Sequence, residues 1–164
     1  MRGMGIWILA AAAAAAAHGM GRRPPADKEP AQREDRAMDV SQMTVKDGAP
    51  ASWQGASCGV SKAASLKVES AKEWETLWKD AFNREAASVD FSKHFAAAVF
   101  LGLRQTGGYS VEFLEPLARG DTAVIRYRTR APGPGSFVIQ AFTTPYAIRL
   151  YNRTKAPVAV EESK

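Results

Sequence analysis

From Phe95 to Leu103 the chain reads Phe-Ala-Ala-Ala-Val-Phe-Leu-Gly-Leu, flanked by Lys93-His94 on one side and Arg104-Gln105 on the other. An apolar run this short, with no polar face of either period and with polar boundaries, predicts a fully buried central strand. Gly107-Gly108 follows within a few residues and reverses the chain, because glycine alone enters the positive-φ region of a tight turn without a steric penalty. Tyr109, Val111 and Phe113 then alternate with Ser110 and Glu112. Ala123, Ile125, Tyr127 and Thr129 likewise alternate with Val124, Arg126, Arg128 and Arg130, the mark of half-buried antiparallel strands. Pro132-Gly133-Pro134-Gly135 interrupts the pattern. Two further strands are expected at Phe137–Phe142 and Tyr146–Leu150, with Pro145 between them.

Upstream, Trp53–Cys58 and Ser65–Glu69 read as short strands, and Ser70-Ala71-Lys72-Glu73 is a capping box that starts a helix. Trp74, Leu77, Trp78, Ala81 and Phe82 share one face of that helix, while Lys72, Glu75, Lys79 and Asp80 lie opposite. The expected fold class is α+β: an antiparallel β-sheet meander packed with one amphipathic α-helix.

The 164-residue length suits one domain, expected over residues 51–152. Residues 1–19 have the features of a signal peptide: Arg2, then the apolar stretch Ile6–Ala17, then small residues suited to cleavage near Ala17 or Gly19. An apolar stretch of about a dozen residues is short of the roughly 20 that span a bilayer, so no stable membrane span is expected after cleavage; retention as an anchor is the alternative. The expected location is extracytoplasmic, periplasmic or secreted. Residues 20–50 carry Pro, Gly and mixed charges with no apolar period and read as a disordered linker or tail, and residues 153–164 as a polar C-terminal tail. Cys58 is the sole cysteine, which excludes an intrachain disulfide and leaves a buried inert thiol or pairing with another chain. The net charge is +5, but Arg22–Arg36 mixes both signs. No nucleic-acid partner is expected from such a pattern.

No catalytic signature has its parts. His94 stands alone in the mature chain as a strand-edge residue, no serine occupies a nucleophile elbow, and Asp90, Glu112 and Glu115 read as isolated surface carboxylates. A non-enzymatic protein with no metal and no cofactor is expected. Arg126, Arg128 and Arg130 project from one sheet face, with Arg149 able to join them; the row suits either an acidic partner surface or a solvated, protective face. In a meander, alternating strand direction places the loops Arg104–Gly108 and Ala131–Ser136 at one end and Glu115–Asp121 and Thr143–Pro145 at the other. The candidate partner-binding residues are therefore Arg104, Thr106, Gly107, Gly108, Tyr109, Pro132, Gly133, Pro134 and Gly135, with simple turn formation as the plainer role of the glycines.

The block Phe100-Leu101-Gly102 through Thr106-Gly107-Gly108-Tyr109-Ser110-Val111, together with Thr144-Pro145-Tyr146, resembles the PrcB C-terminal domain family of protease-complex subunits. The likeness covers Val89 to about Leu150. It implies a secreted, non-catalytic module that binds a protein partner, assembling with or stabilising an extracytoplasmic protease. As an alternative, Thr106–Tyr109 is similar to the first inhibitory loop of chagasin-like cysteine-protease inhibitors, with Pro132–Gly135 in the second part. That likeness implies a third loop at the same end, and the meander expectation puts Thr144–Tyr146 at the far one.

Overall fold

The computed structural model describes residues 40–45 and 52–163. The signal peptide and most of the linker expected from sequence lie outside the described residues. The elements are β1 (Ser52–Gly55), β2 (Ala64–Val68), α1 (Ala71–Phe82), β3 (His94–Phe100), β4 (Ser110–Phe113), β5 (Leu117–Arg119), β6 (Thr122–Arg130), β7 (Tyr146–Asn152) and β8 (Val158–Glu162). A short 3-10 turn, Ser41–Met43, precedes them.

The apolar run is central because both of its faces are covered. Ala96, Ala98 and Phe100 of β3 pack with Val68, Ile148, Leu150 and the buried stripe Trp74, Leu77 and Ala81 of α1. Phe95 and Ala97 point the other way, against Ala123 and Ile125 of β6 and Tyr151 of β7. Three layers result: helix, first sheet, second sheet. The first sheet is antiparallel with order β1-β7-β3-β2.

The second sheet is built on β6. Tyr127 pairs with both Phe113 of β4 and Glu162 of β8, and Val124 with both Leu117 of β5 and Ala159 of β8. A strand has only two edges, so β4 and β5 share one and β8 takes the other, in parallel. The pairing sum moves from 240 at Phe113–Tyr127 to 241 at Leu117–Val124, which marks one extra residue between β4 and β5, a bulge.

The strands form two sheets and not one meander: the Gly107-Gly108 turn carries the chain from β3 in the first sheet to β4 in the second. Phe137–Phe142 is irregular and not a strand, because β7, which follows it in the chain, already has β1 on one edge and β3 on the other. The C-terminal residues are not a tail: Val158–Glu162 hydrogen-bonds to β6. Met43, within the stretch expected to be linker, is buried beside Phe95 and Tyr151. Cys58 lies after β1 and not within it, half-buried, its N–H donating to Thr144 Oγ1 at 2.8 Å and its Sγ 3.3 Å from the Thr144 carbonyl oxygen. His94 opens β3 with Nδ1 3.2 Å from the Asp90 carbonyl oxygen.

Candidate functional site: a loop cluster at the end of β3

The site begins where β3 ends. Leu101 N–H donates to the Pro145 carbonyl at 2.9 Å, and Leu103 N–H to that of Ser61 at 2.9 Å. Gly102 between them has φ +72°, and a Cβ there would come within 2.7 Å of the Ala63 nitrogen and 2.9 Å of the Ser61 oxygen. No side chain fits against that backbone without moving it. Arg104 and Thr143 then exchange backbone hydrogen bonds of 2.7 and 2.9 Å, and Thr143 Oγ1 donates to the Thr106 carbonyl at 2.8 Å. Gly107 N–H donates to the Ile139 carbonyl at 3.0 Å. Gly108 has φ +84°, and a Cβ on it would meet Val138 Cγ1 at 2.7 Å and Pro132 Cβ at 3.0 Å. The Arg104 guanidinium carbon lies 5.3 Å from the centre of the Tyr109 ring, a cation–π contact, and its Nε is buried without a hydrogen-bond partner among the described residues.

Residues Arg104, Thr106, Gly107, Gly108, Tyr109 and Pro132 are thus brought together. Gly133, Pro134 and Gly135 are not part of that contact: they form an exposed turn, closed by a 3.1 Å bond from Ser136 N–H to the Gly133 carbonyl. Sequence reasoning missed Leu103, Phe137, Ile139 and Phe142. Phe137 is fully exposed, Leu103 56%, Ile139 66% and Phe142 70% exposed, and all four lie on the two segments that these hydrogen bonds tie together. The available signal was the apolar content of Phe137–Phe142, which fits a strand and an exposed binding segment equally well.

Thr143-Thr144-Pro145 lies at the same end of the molecule as Gly107-Gly108, not at the opposite one. Phe137–Phe142 is not a strand and does not cross a sheet, so the chain does not change ends between Ala131 and Thr143. This third segment is nonetheless turned inward. Pro145 is fully buried, Thr144 Oγ1 donates to the Cys58 carbonyl at 2.7 Å, and the Tyr146 ring packs 4.7 Å from Phe82.

The arginine row is occupied by partners of its own sheet. Arg126 donates to the Glu115 carbonyl at 3.0 and 3.3 Å, while Arg128 and Arg130 both reach Glu112 Oε2, at 2.8 and 2.6 Å. The hydrogen bond from Arg128, followed by Arg130, holds the Glu112 carboxyl below the usual carboxylate range. Arg149 does not join them, because it belongs to β7 in the other sheet. Among the described residues no three His, Cys, Asp or Glu side chains gather as a metal site would need. The cluster supplies apolar area, backbone groups and one guanidinium, which are means of binding.

Residues 96–149 match the family model described as PrcB C-terminal, a span that starts in β3, ends in β7 and contains the whole loop cluster. This supports the resemblance read from Phe100–Val111. No curated protein and no solved structure matches the chain.

Proposed function

We propose that this PrcB C-terminal-like domain is an extracytoplasmic, non-catalytic module that binds a protein partner, a protease, through the Arg104–Tyr109 and Ala131–Thr143 segments. The observation that carries the reading is the exposure of Leu103, Phe137, Ile139 and Phe142 on two segments hydrogen-bonded to each other within the matched span. Large apolar side chains exposed on adjoining segments suit an interaction site, since covering them returns roughly 25 cal/mol per Å². The Gly107 and Gly108 backbone is held against Pro132, Val138 and Ile139, so the surface is preformed and binding need not order it. The leader-like composition of residues 1–19 and the family name support an extracytoplasmic protease as the partner.

A photo-crosslinker at Phe142 in the full-length protein, used in its native envelope, tests this. The expected result is an adduct with a protease chain that disappears in a folded Ile139→Asp variant. Absence of any adduct, or an adduct indifferent to Ile139→Asp, overturns the reading.

The placement of Thr143–Pro145 beside the Gly107 turn favours a second reading, inhibition of a cysteine protease by this end of the molecule. Because Pro145 and Tyr146 are packed inward, the insertion would fall to Gly107-Gly108 and Phe142. Titration into a papain-like protease decides it: inhibition lost in Gly107→Trp supports this reading, and unchanged turnover removes it.

A further inference from the structure

Among the described residues the two sheets are unequal in width. The first has four strands, whereas the second is one strand narrower, with β4 and β5 sharing an edge of β6 and β8 on the other. On one side β2 and β8 lie against each other. On the other side β4 stacks on β7, where Val111 and Ala147 share a core cluster, and β1 reaches one strand further. The result is a step. It forms a groove of about 690 Å³, walled by Tyr109–Phe113 and floored by Ser52–Gly55 and Ala147–Arg149.

The dimensions of paired strands explain the shape. Neighbouring strands lie about 4.8 Å apart and stacked sheets about 10 Å apart, so a strand added to β4 would lie over β1 and complete the narrower sheet. One edge of β4 is paired with β6, and among the described residues no strand pairs with the other. Such an edge offers backbone groups at strand spacing. The floor of the step is polar. Trp53 and Ile148 point to the helix side, so alternation puts Ser52, Gln54, Ala147 and Arg149 on the groove side. Arg149 has its guanidinium carbon 5.5 Å from the Tyr151 ring centre and no carboxylate within ion-pair distance among the described residues. At the rim, by contrast, Arg130 is already paired with Glu112.

We infer that this groove takes an extended segment of a partner protein as an added strand on β4, with an acidic side chain of that segment pairing with Arg149. The proposal concerns a surface distinct from the exposed loop residues Leu103, Phe137, Ile139 and Phe142, and does not depend on their role. A partner's segment is favoured over the chain's own leader-proximal residues. Residues 20–39 contain Pro24, Pro25 and Pro30 and no β-branched or aromatic residue, a composition unsuited to a strand ladder.

The test uses the full chain and a blocked heptapeptide, acetyl-Thr-Val-Thr-Glu-Thr-Val-Thr-amide. Backbone NMR should show saturable shifts confined to Ser52–Gly55, Ser110–Phe113 and Ala147–Arg149. Affinity should fall about ten-fold in Arg149→Gln and for a Glu-to-Gln peptide, the scale of a lost charge-assisted hydrogen bond. A peptide with alternate backbone nitrogens methylated should not bind, because it keeps the side chains and loses the ladder. Lys72→Ala, on the exposed side of α1 and away from the groove, should leave peptide binding unchanged. Since the two peptide controls need no protein variant, a misfolded Arg149→Gln does not spoil the test. Absence of saturable binding, or equal binding of the methylated peptide, overturns the proposal. So does protection, in the peptide-free protein, of those Ser110–Phe113 amides that do not hydrogen-bond to β6, whether it is lost on Glu34→Lys with Asp35→Lys, which would place the chain's own segment there, or on dilution, which would place a second copy there.

Discussion

At Gly108 and Gly133 the same residue type meets different demands. Gly108 sits at φ +84°, and a Cβ added to it would have Val138 and Pro132 within 3.0 Å, whereas one on Gly133 would meet only the Ser136 hydroxyl oxygen, at an ordinary 3.5 Å. Gly108→Ala should therefore cost about 1–3 kcal/mol, from a strained backbone together with a clash, and Gly133→Ala should stay within about 0.5 kcal/mol. Urea unfolding of the two variants measures this, and equal losses would contradict it. Both glycines were legible as turn residues. Their different importance was not, because it depends on Pro132 and Val138 arriving from a distant part of the chain.

Local signals served well for α1. Ser70 and Glu73 form the capping box expected from their spacing, with Glu73 N–H donating to Ser70 Oγ at 3.3 Å and Ser70 N–H to Glu73 Oε2 at 3.1 Å. Its buried stripe centres on Trp74, which is 2% exposed and donates through Nε1 to the Ala87 carbonyl at 2.7 Å. Trp74→Ala should cost about 3–5 kcal/mol, since it leaves a cavity beneath Trp53 and Trp78 and orphans the Ala87 oxygen. Lys72→Ala on the exposed side should cost less than about 0.5 kcal/mol. Chemical denaturation checks the pair, and similar midpoints would refute the burial argument. Strands fared worse than the helix. Phe137–Phe142 has strand composition, but both edges of β7, the strand that follows it, are taken by β1 and β3, and Val158–Glu162 reads as polar until β6 is found to have an edge to spare. A helix satisfies its hydrogen bonds from within, whereas a strand exists only where a neighbour is free.

Across the whole molecule, Ala96, Ala97 and Ala98 set how closely three layers approach. Ala97 is fully buried between the sheets and Ala98 fully buried under the helix. Ala97→Leu should cost about 1–3 kcal/mol by overpacking the sheet interface. The loss should appear at one midpoint by far-UV circular dichroism and by fluorescence of Trp53, Trp74 and Trp78, although these indoles lie on the opposite face of β3. Two separate midpoints would show that the layers unfold independently. The buried character of β3, the start of α1 and the reversals at Gly107-Gly108 and Pro132–Gly135 could be read from the chain because they follow from short-range sterics, capping and apolar patterning. Folding alone assigned the strands to two sheets, turned Pro145 and Tyr146 inward beside the Gly107 loop, and, among the described residues, left one edge of β4 unpaired above β1. Each of those outcomes depends on which hydrogen-bonding edges and apolar faces residues far apart in sequence had already occupied.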